Sequence, residues 1–213
     1  MTFYSGKGPS PREAGAALIL VHGRGASAAD IMGVYDALNR PALAALAPEA
    51  AGGTWYPYSF LAPIEQNQPH LDQALQQVDE MVEHILEEGV SAERIGLLGF
   101  SQGACLSLEY AIRNPRRYGA VMALTGGYIG PPGMTRDDAG SFDHTPVFVG
   151  ANDPDPHVPF ERVEETAALL KRMHADVEVR RYPGLPHAVN DDEIQVCRKL
   201  IDAYCATNGG NVL

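Results

Sequence analysis

Gly99-Phe100-Ser101-Gln102-Gly103 sets a serine two residues from a glycine on either side. That pattern, G-x-S-x-G, suits a serine held on a tight, strained turn with its hydroxyl pushed up from a sheet. Side chains two residues before and after would collide there, so glycine is wanted at both places. A serine hydroxyl is a weak nucleophile until a base removes its proton, and the base needs a carboxylate to orient it. The chemistry to look for is therefore acyl transfer, and the chain must supply a histidine and an acid downstream.

After Ser101 the histidines are His144, His157, His174 and His187. His174 lies late in a polar helical stretch and is expected to be solvated. His144 precedes an apolar run, at the wrong end of a strand. His187 closes Pro183-Gly184-Leu185-Pro186-His187, a loop between a strand and the last helix, which is the place for a base. For the acid, Ala151-Asn152-Asp153-Pro154-Asp155-Pro156-His157-Val158-Pro159 offers both Asp153 and Asp155 directly after a strand. Spacing alone does not choose between them; one orients the base and the other is an ordinary turn or cap aspartate.

Two further segments complete the candidate site. His22-Gly23-Arg24-Gly25 follows an apolar run and suits a loop that aims a backbone N–H at a reacting carbonyl. The second such N–H comes from the residue after the nucleophile, so the oxyanion hole falls to the backbones of Arg24 and Gln102. His22 is expected to hold that loop, and the Arg24 side chain to point at solvent. Trp55-Tyr56-Pro57-Tyr58-Ser59-Phe60-Leu61-Ala62-Pro63-Ile64 carries the only tryptophan. Trp55, Tyr56, Phe60 and Leu61 are candidates for an apolar substrate pocket, with packing over the sheet edge as the rival role.

The elements that must position these residues alternate. Short apolar runs at Ala17–His22, Leu43–Ala47, Ile95–Phe100, Ala120–Leu124, Pro146–Gly150 and Val177–Tyr182 read as strands. Between them lie Ala28–Asn39, which Ser27 or Asp30 could cap, then Leu71–Glu88, Cys105–Arg113, Phe160–His174 and Asp191–Tyr204. In Leu71–Glu88 the apolar positions recur at helical spacing. Strands alternating with helices predict an α/β fold, a mostly parallel central sheet with helices on both faces. Ligands bind such sheets beyond the carboxyl ends of the strands, where every candidate above lies.

The bulk composition excludes other classes. Sixteen Lys and Arg against 27 Asp and Glu give a net charge of −11, the wrong sign for nucleic acid or anionic lipid. The longest apolar run, Ala16 to Val21, is too short to span a bilayer, and Met1 to Arg12 lacks a signal pattern. A cytoplasmic protein without stable membrane association is expected. The three cysteines form no CxxC, and no cluster has metal-ligand spacing, so no metal site is expected. The length fits one domain over residues 1–213.

Taken together, HGRG, GFSQG, DPHVP and the late GLPH resemble the phospholipase/carboxylesterase family of α/β hydrolases, which includes bacterial carboxylesterases and acyl-protein thioesterases. The resemblance covers nearly the whole chain, with the motifs in the family's order. It implies a minimal α/β-hydrolase fold without a large cap domain, no cofactor, and a small-molecule ester or thioester as substrate. The family's D-P-x-V-P motif falls on Asp155-Pro156-His157-Val158-Pro159, which favours Asp155 as the acid. The chain departs from the family where an H-G-D-x-D run becomes Ala151-Asn152-Asp153-Pro154-Asp155, and where Arg24 replaces a usually apolar residue. A lactone or dienelactone hydrolase, or a non-catalytic binder on the same scaffold, are rival readings. The first usually carries cysteine where Ser101 stands, and the second would be expected to lose one of the three catalytic positions. Acyl length is not legible, and a homodimer is left open.

Overall fold

The computed structural model describes residues 4–206. Seven strands form one sheet: β1 (Tyr4–Lys7), β2 (Ala17–Val21), β3 (Ala44–Pro48), β4 (Ile95–Phe100), β5 (Ala120–Leu124), β6 (Pro146–Asp153) and β7 (Asp176–Pro183), in the order β1-β3-β2-β4-β5-β6-β7. All pairings are parallel except β1 with β3. The central strands are buried on both faces, which is why they read as unbroken apolar runs. This is the mostly parallel sheet with helices on both faces expected from the alternation of strands and helices.

The α-helices among the described residues are α1 (Pro11–Ala14), α2 (Ala28–Leu38), α3 (His70–Glu87), α4 (Gln102–Arg113), α5 (Phe160–Arg172) and α6 (Asp191–Ala206). Strand alternation divides the core into two layers. Leu18, Leu20, Leu98 and Met122 pack with α2 and α6. Ile19, Val21, Leu97 and Val121 face the other way, onto α3, α4 and α5. Residues 125–145, between β5 and β6, form no cap domain; Tyr128, Ile129 and Phe142 from this stretch are buried in the main core. No helix among the described residues is long and apolar enough to cross a membrane.

Several expected boundaries move. Strand β1 was not expected: four exposed residues, Tyr-Ser-Gly-Lys, carry no apolar signal, and only pairing with β3 makes them a strand. Helix α1, with its Ser10–Glu13 capping box, is likewise absent from the sequence reading. At α2 the choice between Ser27 and Asp30 dissolves, because both act. Ser27 Oγ accepts from Asp30 N–H, and the Asp30 carboxylate accepts from Ser27 N–H. Helix α4 begins at Gln102 rather than Cys105. Gly103 read as the end of a turn, but helical backbone there is required for α4 to start directly at the serine. Strand β6 continues to Asp153, because β7 runs alongside it as far as Pro183.

Candidate active site

Ser101 stands at the N-terminal end of α4 with φ 55 and ψ −119, a strained conformation for a side-chain-bearing residue. The two motif glycines make this turn physically admissible. A Cβ on Gly99 would lie 2.2 Å from the Gly103 carbonyl oxygen, inside the first turn of α4. A Cβ on Gly103 would lie 2.0 Å from the Val21 oxygen and 2.5 Å from that of His22. The second contact matters as much as the first: it lets α4 close onto the end of β2, so that Ser101 and the loop after β2 meet. Ser101 N–H is tied to Leu124 O at 3.0 Å, fixing the turn to β5 as well.

His187 Nε2 lies 2.9 Å from Ser101 Oγ, and His187 Nδ1 lies 2.7 Å from Asp155 Oδ2. A carboxylate only accepts, so the imidazole proton sits on Nδ1 and Nε2 is free to accept from the serine hydroxyl. The imidazole is packed between Phe100, with ring centroids 5.1 Å apart, and His157, edge-on at 5.0 Å. Asp155 Oδ1 accepts from the N–H groups of His157 and Val158 at 2.8 and 2.9 Å. Burial pushes the Asp155 carboxyl up, but the bonds from His187 and these two N–H groups outweigh it and hold the group below the usual aspartate range. Asp153 is not part of this chain: its carboxylate pairs with Arg181 on the outside of the sheet end.

Arg24 and Gln102, the two residues whose backbones were expected to form the oxyanion hole, both line the cavity that holds Ser101 and His187. Gln102 is the first residue of α4, so no helical carbonyl serves its N–H. In the loop after β2 the turn's own bonds use Gly25 N–H, to Gly53 O, and Ala26 N–H, to Gly23 O. His22 is fully buried and holds that loop, as expected. Its Nε2 accepts from Ala50 N–H, which leaves the proton on Nδ1 to donate to Gly23 O at 2.8 Å.

A cavity of about 780 Å³ opens over Ser101 and His187. Tyr56, Phe60 and Leu61 line it, together with Tyr58, Pro156, His157 and Val158. Trp55 does not line the cavity. It is buried behind it, its indole N–H donating to His22 O at 2.8 Å and its ring packed on the imidazole of His22. An indole N–H has to find a partner when buried, and here the partner belongs to the loop after β2. The Arg24 side chain also differs from expectation. It does not simply point at solvent but bonds the carbonyls of Tyr56, Pro57 and Tyr58 at 2.8 to 3.0 Å. The Gln102 side chain, unassigned by the sequence, grips the same segment: Oε1 accepts from Trp55 N–H and Nε2 donates to Tyr56 O. Cys105 touches the cavity, but burial pushes its thiol up to about 12, so it is held protonated.

Comparisons with known proteins identify the family. The phospholipase/carboxylesterase family model matches residues 9–205. A phospholipase/carboxylesterase crystal structure from Dyadobacter fermentans is 45% identical with a TM-score of 0.90, over 94% of this chain and 96% of that one. The crystal structure of esterase PE8, at 20% identity and a TM-score of 0.79 over 94% and 98%, shares the fold. Acyl-protein thioesterase 1 of Kluyveromyces lactis is 28% identical over 129 residues, 57% of this chain and 55% of that protein; the chain matches about half the length of such curated relatives. With the family model covering all but the two ends, the chain belongs to the phospholipase/carboxylesterase family.

Proposed function

We propose that the chain is a serine carboxylesterase that hydrolyses small carboxylic esters or thioesters through an acyl-enzyme, using a Ser101–His187–Asp155 triad. The observation that carries this reading is the continuous hydrogen-bonded chain from Asp155 through His187 to Ser101 at the base of the cavity. Ser101 Oγ attacks the ester carbonyl carbon while His187 Nε2 takes the hydroxyl proton, and Asp155 orients and stabilises the imidazolium. The N–H groups of Arg24 and Gln102 receive the oxyanion, each such donor being worth roughly 3–4 kcal/mol of barrier. Collapse expels the alcohol or thiol, which leaves with the proton from His187. Water then attacks the acyl-enzyme carbonyl with His187 again as base, and the carboxylic acid departs as Ser101 regains its proton.

Thioesters belong in the substrate class because relatives bear the name acyl-protein thioesterase. One domain carries the whole reaction in this reading, in the cytoplasm and without cofactor or metal. The test is a fluorophosphonate probe followed by p-nitrophenyl esters of increasing acyl length. Labelling should fall on Ser101 alone and vanish in Ser101→Ala, with hydrolysis lost in parallel. Labelling that survives Ser101→Ala would refute the assignment.

A further inference from the structure

The segment that carries His187 is exposed on both sides of the imidazole: Pro186 and Ala188 both face solvent, and Gly184 turns the chain at φ 73. Little apolar packing fixes such a segment, so polar contacts must. Pro186-His187-Ala188 is a tight turn closed by Ala188 N–H to Pro186 O at 2.7 Å. One side chain reaches that turn from inside the fold. Asn152, fully buried near the end of β6, donates from Nδ2 to Pro186 O at 2.6 Å and approaches Ala188 O at 3.3 Å. Both carbonyls flank His187. The reverse amide orientation would set an oxygen against those two carbonyl oxygens, so the donor assignment follows from the partners.

Asn152 is itself held in a costly environment. Its Oδ1 is buried without a hydrogen-bond partner among the described residues. An unpaired buried acceptor costs about 1–3 kcal/mol. The remaining neighbour, Thr125 Oγ1 at 3.4 Å, belongs to a buried residue with φ 56 whose N–H is bound to Gly150 O. The polar contacts that Asn152 does satisfy thus converge on the turn bearing the base.

We propose that Asn152 is the positioning residue for His187: its amide fixes the Pro186–Ala188 turn so that Nε2 stays within hydrogen-bond reach of Ser101 Oγ. The proposal rests on the triad reading given above. Removing the amide would let the imidazole wander while Tyr56, Phe60 and Leu61 stay in place along the cavity, so turnover should fall while substrate binding is kept. Misplacement of a catalytic group by about 1 Å costs on the order of 100-fold in rate.

The test compares Asn152→Ala and Asn152→Gly, each alone and combined with His187→Ala, on one short-chain p-nitrophenyl ester. The expected result is a loss in kcat of about 10- to 100-fold with KM within about 2-fold. The same loss should appear in the rate of fluorophosphonate labelling, and it should disappear in the His187→Ala background, because a residue acting through His187 has nothing to act on there. A folded variant with parental kcat overturns the proposal, as does an equal loss in the presence and absence of His187. Failure of both variants to fold would make Asn152 a structural residue and overturn it as well. A His187→Ala enzyme with parental kcat would instead remove the triad reading on which the proposal stands.

Discussion

Two regions meet at the candidate site and are built on different physics. The turn around Ser101 is specified by steric exclusion: at Gly99 and Gly103 a single added carbon would strike backbone at 2.2 and 2.0 Å. The segments carrying Asp155 and His187 are specified by hydrogen bonds instead. Asp155 is fixed by two backbone N–H groups, and the His187 turn by one buried amide. Steric exclusion leaves its mark in the local sequence, because only glycine fits. The His187 turn leaves almost none, since the amide that holds it belongs to Asn152, over 30 positions away. The Ser101 turn is thus the sterically fixed half of the site and the His187 turn the hydrogen-bonded half.

The largest test of this contrast separates the two aspartates. Asp155→Asn replaces an acceptor with a group that can present its N–H to His187 and favour the wrong tautomer, so kcat should fall by up to about 10⁴ with the fold retained. Asp153→Asn weakens an ion pair with Arg181 at the half-exposed sheet end, where such pairs are worth about 0–1 kcal/mol. Its activity should stay within about 3-fold of the parent, since each tenfold in rate needs about 1.4 kcal/mol. Equal melting temperatures would show that both enzymes fold. A crippled Asp153→Asn beside a near-normal Asp155→Asn would reverse the roles of the two aspartates.

The same contrast explains what was legible beforehand. The elbow, the parallel strands and the loop after β2 follow from glycine placement and from apolar runs, and they were readable residue by residue. Asp155 became readable only through the D-P-x-V-P resemblance, because spacing left it level with Asp153. Strand β1 was invisible because its partner, β3, lies some 40 residues on and its own residues are exposed. Trp55 was a candidate for the cavity wall, because an aromatic beside site loops suits one, with packing over the sheet edge as the rival role. What decides its place is the indole N–H, whose acceptor is His22 O. Gln102 was read for its backbone alone, and the Arg24 side chain was expected to point at solvent. Nothing local says that both side chains hold the carbonyls or N–H groups of residues 55–58.

Those two grips join the sterically fixed half to the cavity, and Arg24 tests how far that fixing extends. Arg24→Met keeps an apolar stem but removes three bonds to the carbonyls of Tyr56, Pro57 and Tyr58. The guanidinium is exposed, so the loss to stability should be about 1 kcal/mol. Loosening the 56–58 segment should raise KM by about 10-fold with kcat little changed, the signature of weakened ground-state binding. A fall in kcat at constant KM would place the effect in the oxyanion loop rather than in the cavity lining.

The smallest effect on rate concerns the hydrogen-bonded half, and it is read in stability instead. Glu193, fully buried in the first turn of α6, lies against Gly150 of β6, where a Cβ would sit 2.1 Å from its Oε1. Its Oε2 accepts from Asn190 N–H and Nδ2–H, three residues after His187, while Oε1 has no partner among the described residues. Burial, aided by the nearby Asp192 carboxylate, raises the carboxyl from an ordinary 4.5 to about 7, against the pull of the Asn190 N–H. The folded protein therefore binds this proton more tightly than the unfolded chain does. Between pH 4.5 and about 7 the native state carries more proton at this site, so stability falls as pH rises, and above about 7 the deficit is constant. The full deficit is roughly 3 kcal/mol. Glu193→Gln has no charge to bury, so its melting temperature should change less than the parent's between pH 5 and pH 8.5, with kcat on a short ester little altered. Parallel melting curves for the two proteins across that range would mean that Glu193 stays ionised in the fold, and that the seat beneath Gly150 tolerates a carboxylate.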